Sequence, residues 1–264
     1  MRTPLVQHST RRRRARYRRV LWSGAELLVT SGVLVLLLVV HQLWWTNREA
    51  KEGAERKVEA LERQWSDSGD GGSGGGSAGG GGSGDSGFGS GSGGGSASGG
   101  AGGGARQTSA GPGLSQAYAV LRIPRLGLRV PVAEGTSKPK VLNKGYVGHY
   151  THTQQPGQAG NFALAGHRNT HGEPFRYLNH LKKGDEVKVE TRDAIYTYTV
   201  DQVLPQTSSR DSGVIRPVPR SLTRPAYGYQ DPGHYLTLTT CTPEYTSRYR
   251  LVVWGKLVGT VPRR

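Results

Sequence analysis

Cys241 is the single cysteine of this 264-residue chain, and it closes an alternating run, HYLTLTTC (234–241), that leads into Thr-Pro. One cysteine cannot form an internal disulfide, and cysteine-based zinc sites need several ligands. Two readings of it remain from its type and place: a small buried apolar group or a reactive thiol. A reactive thiol needs a base or a cation beside it to be a nucleophile near neutral pH. Three histidines of the C-terminal part are candidates for the base: His149, His167 and His171. His167 follows the apolar run NFALAG (161–166) and precedes Arg-Asn-Thr. For the cation there are Arg248 and Arg250, seven and nine residues beyond the cysteine. That separation fits a turn and the start of a returning strand. Period two places Arg250 on one face with Val252 and Trp254. A guanidinium there could stabilise an oxyanion or align a peptide carbonyl. The bland alternatives are a packed cysteine, a solvated histidine and a solvated pair of arginines.

The elements that must position these groups are short and β-like. AVLRIP (119–124), LRVPVAEG (128–135), GNFALAG (160–166), DEVKVET (185–191), AIYTYTVDQVL (194–204), HYLTLTTC (234–241) and YRLVVWGKLV (249–258) are separated by Gly, Pro and polar residues. YTYTV and YLTLT alternate with period two. The pattern predicts an all-β fold, a barrel or sandwich, with short helices only around 138–144 and 174–181.

The first 113 residues have another texture. Residues 1–20 form a basic arm with eight Arg and no acidic residue. From Leu27 to Trp45 a 19-residue run carries no Lys, Arg, Asp or Glu, with Trp22 before it and Trp44 and Trp45 at its end. As a helix this run spans about 28 Å, close to the roughly 30 Å hydrocarbon thickness. Tryptophan favours both membrane interfaces. The arginine cluster predicts a cytoplasmic N-terminus and an external C-terminal domain. A cleaved signal peptide is the alternative, but its apolar region is usually shorter and ends in small residues. The reading is therefore a signal-anchor helix over 21–45. Residues 46–65 are charged helix formers and predict a helical stalk. Residues 66–113 are mostly Gly and Ser and predict a disordered linker with a root-mean-square reach of about 35–40 Å. That leaves 114–264 as one folded domain.

The formal net charge is +16, and residues 114–264 alone hold 21 Lys+Arg against 10 Asp+Glu. Such a balance raises nucleic acid, anionic membrane or anionic polymer as partners. No zinc spacing, RNP-like strand or phosphate loop accompanies it, so nucleic acid is not expected.

TLTTCTPEYTSRYRLVVWG (237–255), NFALAGHRNTHGEPF (161–175) and LRIPRLGLRVPVAEGT (121–136) together resemble the sortases, a family of cysteine transpeptidases. The first carries a Thr-Leu-x-Thr-Cys strand with a downstream Arg, the second a Gly-His-Arg, the third an Ile-Pro-x-Leu-Gly. The resemblance spans about 118–258. It implies a closed β-barrel of about eight strands, with Cys241 as nucleophile, His167 as the catalytic histidine and Arg250 as the catalytic arginine. Arg248 is the runner-up for the last role. GHYTHTQQPGQAGNFALAGHR (148–168) is similar to class E enzymes of high-GC Gram-positive bacteria. That class implies cleavage of an LAxTG-type sorting signal on exported proteins and transfer to an amine of a lipid-linked peptidoglycan precursor, without metal or other cofactor. Two rivals stand beside this reading. An L,D-transpeptidase would carry a Ser-His-Gly-Cys run, which is absent. The other is a non-catalytic wall-binding or scaffold domain on the same barrel.

Overall fold

In the C-terminal domain, short β-branched and aromatic runs form strands because each buries one face and pairs on both edges. The computed structural model describes residues 8–69 and 111–263. The strands are β1 (Ala117–Ile123), β2 (Leu128–Glu134), β3 (Val147–His149), β4 (Gly160–Ala165), β5 (Glu186–Glu190), β6 (Ala194–Ser208), β7 (His234–Thr242) and β8 (Tyr249–Pro262). They close into one barrel in the order β1-β2-β3-β4-β7-β8-β6-β5. Pairs β2–β3 and β4–β7 are parallel, and the other pairs are antiparallel. The Ile-Pro-x-Leu-Gly segment makes the β1–β2 corner. Pro124–Leu126 form a 3-10 turn, and Gly127 ends it in the left-handed region at φ 59°.

Period two sorts the side chains. Phe162, Leu164, Leu236, Leu238, Leu251 and Val253 point into the barrel and are buried with Leu121, Val132 and Val189. The alternate residues of β6, β7 and β8 face outward, where the segment between β6 and β7 covers part of them. Leu204, Val214, Tyr229, Tyr235, Val252 and Trp254 form that second cluster. The helices expected around 138–144 and 174–181 are reduced to single 3-10 turns, Leu142–Lys144 and Leu178–His180. Strand β3 falls in a stretch where no strand was expected; three residues are too few for a periodic signal.

The N-terminal part is one helix, α1 (His8–Gly69). From Leu21 to Trp45 its described side chains are exposed, and this is the one helix among the described residues long and apolar enough to cross a membrane. Its later turns do not stand free as a stalk. Ala50, Ala54, Val58, Leu61 and Trp65 are buried, at spacings of 4, 4, 3 and 4 that define one helix face. Val58, Leu61 and Trp65 pack with Ala117, Val120, Ala133 and Val141 of the barrel side. Burial of a large apolar side chain contributes about 1.5–3 kcal/mol. Charge fixes the same interface. Arg122 of β1 and Arg129 of β2 stand directly opposite each other, a destabilising pairing of like charges. Glu62 of α1 reaches both, at 3.0 Å from Arg122 and in closer contact with Arg129, and Glu190 lies 2.5 Å from Arg122. Of the expected arm and linker, residues 1–7 and 70–110 lie outside the described residues.

Candidate active site

The register of β7 with its two neighbours builds the site. Parallel pairing matches Ala165 of β4 with Thr239 of β7. His167 lies two residues past the first and Cys241 two past the second, so both leave adjacent strands at the same level. Antiparallel pairing on the other edge matches Cys241 with Arg250 of β8. The cysteine therefore has the histidine strand on one side and the arginine strand on the other. Because Leu236 and Leu238 face inward, the alternation turns Cys241 outward and leaves it partly accessible.

The threonines before it lock this level. Thr237 Oγ donates to Asn161 Oδ1 at 2.8 Å, Thr239 Oγ to the Leu164 carbonyl at 3.1 Å, and Thr240 Oγ to the Gly166 carbonyl at 2.9 Å. All three are buried, and each hydroxyl there requires a partner. These bonds tie β7 to β4 and its extension, holding the cysteine strand against the histidine strand.

Cys241, His167 and Arg250 line one cleft of about 840 Å³, with Trp44, Asn47, Lys138, His171 and Tyr245 among the other walls. His167 Nε2 lies 2.9 Å from Asn143 Oδ1. The amide oxygen accepts, so the neutral ring carries its proton on Nε2 and has Nδ1 as its free base. His171 stacks on this ring at 5.3 Å between centroids. Burial, then the charges of His171 and Lys138, hold the His167 imidazole down at about 4, against an ordinary 6.5. The ring is neutral at pH 7. The Arg250 guanidinium donates to the carbonyls of Ser247 and Tyr249, at 2.9 and 3.0 Å, which fixes it at the cleft wall. Arg248 lies beyond the last ladder pair, Thr242–Tyr249, is exposed, and sits over the Tyr249 ring at 5.1 Å.

His149, the third histidine candidate, is not in this cleft. It is fully buried in β3, with Nδ1 2.8 Å from Glu134 Oε2 and Nε2 3.0 Å from Thr153 Oγ1. Its role is a satisfied internal polar pair. Two residues of the site were given no role from the sequence. Asn143 had no signal, since only the fold brings it to His167. Arg168 follows the histidine and is buried; it donates to the Cys241 carbonyl at 3.3 Å and to Thr242 Oγ1 at 3.0 Å. Its place directly after a candidate base, just past the end of the apolar run NFALAG, was the available clue.

A sortase-domain family model matches residues 121–258, more than half of the chain. This chain belongs to the sortase family. Sortase SrtE1 of Streptomyces coelicolor is 43% identical over 243 residues, covering 90% of this chain and 57% of that relative. Sortase SrtE2 of the same organism is 36% identical over 240 residues, covering 89% of this chain and 81% of its own length. The chain thus spans little more than half of SrtE1. Among solved structures, sortase E1 from Streptomyces coelicolor, with a tripeptide in its active site, gives a TM-score of 0.53 at 52% identity over 56% of this chain and 92% of that one. Sortase E from Streptomyces avermitilis gives 0.50 at 43% identity over 57% and 93%. The similarity is to class E sortases, and the mixed eight-stranded barrel is the fold they share.

Proposed function

We propose that this sortase is a membrane-anchored transpeptidase that cleaves the Thr-Gly bond of an LAxTG- or LPxTG-type sorting signal and passes the protein to an amine of a lipid-linked peptidoglycan precursor. The observation that carries the reading is the placement of His167 and Arg250 on either side of Cys241, in one open cleft. The exposed apolar stretch of α1 supports a single membrane span, and the arginines before it support a cytoplasmic N-terminus with the barrel outside.

The chemistry follows from the ionisation of the site. Neutral His167 accepts the thiol proton on Nδ1 as Sγ attacks the Thr carbonyl. The oxyanion that forms is held by Arg250, a donor fixed before the reaction begins. The C–N bond then breaks, and the imidazolium gives its proton to the departing Gly amine. A thioester on Cys241 remains. The acceptor amine attacks it, His167 takes the amine proton, and the leaving thiolate recovers that proton. Water in place of the amine gives hydrolysis. Anchoring holds enzyme, signal and lipid-linked acceptor at one surface, which raises their effective concentration.

The test is incubation of the full chain in detergent with a quenched LAxTG peptide and a Gly-type amine. Cleavage and an amide-linked product are expected from the wild type, and neither from Cys241→Ala. A wild type that leaves the peptide intact would favour the scaffold reading.

A further inference from the structure

Helix α1 does more than connect barrel and membrane. Its turn just past Trp45 meets the loop that follows His167. Asn47 Oδ1 accepts a hydrogen bond from the Gly172 backbone N–H at 2.6 Å. One turn on, the Ala50 backbone comes so near Gly145 that a Cβ on that glycine would lie 2.7 Å from the Ala50 carbonyl oxygen and 3.3 Å from the His171 carbonyl. Gly145 closes the 3-10 turn that carries Asn143, the partner of His167. One face of the helix thus touches both segments that set the His167 ring.

The loop needs such support. His171, Gly172 and Glu173 are all in the left-handed region, at φ 53°, 81° and 50°. A run of this kind with two non-glycine residues is unfavourable and persists only where surroundings hold it. His171 is the residue that stacks on His167, and Trp44 and Asn47 themselves line the cleft of Cys241.

We propose that the membrane-proximal turn of α1 is a working part of the catalytic site, with Asn47 as a positioning residue that holds the 171–173 loop and, through it, the His167 ring. The membrane segment then reaches the cleft through one continuous helix, and catalysis depends on that helix being docked. This rests on the transpeptidase reading above.

The experiment uses the full chain in detergent micelles with the quenched peptide and amine. Asn47→Ala is expected to lower kcat roughly tenfold with a smaller change in KM, about twofold, since the main loss is in ring placement and Asn47 is one of many cleft walls. Asn47→Asp keeps an acceptor for the Gly172 N–H and is expected to recover most of the rate. Hydrogen exchange at the Gly172 amide is expected to be about tenfold faster in Asn47→Ala. An active wild type with unchanged kcat in Asn47→Ala overturns the proposal, and so does an Asp variant as slow as Ala. A wild type inert toward the peptide counts against the transpeptidase reading alone. In that case Gly172 exchange still decides the docking: unchanged protection in Asn47→Ala overturns it, and lost protection supports it.

Discussion

Cys241 and Arg250 are direct partners across the β7–β8 ladder, one residue beyond the Thr240–Leu251 pair. Residues opposite each other in an antiparallel pair have Cβ atoms about 4.5–5.5 Å apart and share a face. Arg248 has no such relation to the cysteine. Arg250→Ala is therefore expected to lower kcat by about 10²–10³-fold, the usual effect of losing a fixed oxyanion donor. Arg250→Lys should restore little, because an ammonium does not reproduce the guanidinium fork. Arg248→Ala should stay close to wild type. Steady-state cleavage of the peptide checks all three; the reverse order of Arg248 and Arg250 would reassign the arginine.

The His167 ring should titrate far below a free imidazole. Burial, His171 and Lys138 hold its folded value at about 4, against 6.5 when exposed. Between those two values the unfolded chain binds the proton that the folded chain refuses. Stability from this group is thus complete above about pH 6.5 and is lost as the pH falls toward 4. An NMR titration of the His167 ring should show a midpoint near 4, and Lys138→Ala should move it upward. A wild-type midpoint near 6.5 would contradict the assignment of the resting neutral ring.

Arg168 is buried beside the cysteine strand and holds the Cys241 carbonyl, Thr242 Oγ1 and Asn179 Oδ1. Arg168→Met keeps some bulk but leaves those acceptors unpaired. A loss of about 1–3 kcal/mol in unfolding free energy is expected, together with reduced turnover. Denaturant unfolding of the variant measures the first, peptide cleavage the second.

Docking of α1 should depend on Glu62. Burial alone would push its carboxyl up, but hydrogen bonds and charge from Arg129 and Arg122 outweigh that and hold it below the ordinary 4.5. With a depressed folded value, its contribution is present above pH 4.5 and disappears as the pH falls through the folded value. Glu62→Gln leaves Arg122 and Arg129 facing each other. The variant should lose about 1–2 kcal/mol and expose residues 46–69 to limited proteolysis at neutral pH. Proteolysis no faster than in the wild type would show that apolar packing alone holds the helix.

Much of the barrel was readable because its strands are period-two runs bounded by Gly and Pro, from AVLRIP to YRLVVWGKLV. The short β3 and the full lengths of β6 and β8 were not, since three residues carry no period and the register shifts in the β6–β8 ladder break the alternation. The docking face of α1 was in principle visible. Ala50, Ala54, Val58, Leu61 and Trp65 repeat at helical spacing, but small alanines among many charged residues gave the segment the look of a free stalk.

His149 marks the opposite limit. By residue type and spacing alone it stands beside His167 and His171 as a candidate base, and burial beside Glu134 places it in the interior.

The sequence by itself determined the chemistry available: one thiol at a strand end, a histidine after another apolar strand, an arginine nine residues on, and an apolar span before them. Tertiary structure decided which groups meet. Parallel pairing of β4 with β7 levels His167 with Cys241 across a separation of 74 residues, and antiparallel pairing with β8 sets Arg250 directly opposite Cys241. The docked α1 brings Asn47 to Gly172, 125 residues away. Such register and docking come from hydrogen bonds and packing between distant segments, and local sequence periodicity carries no record of them.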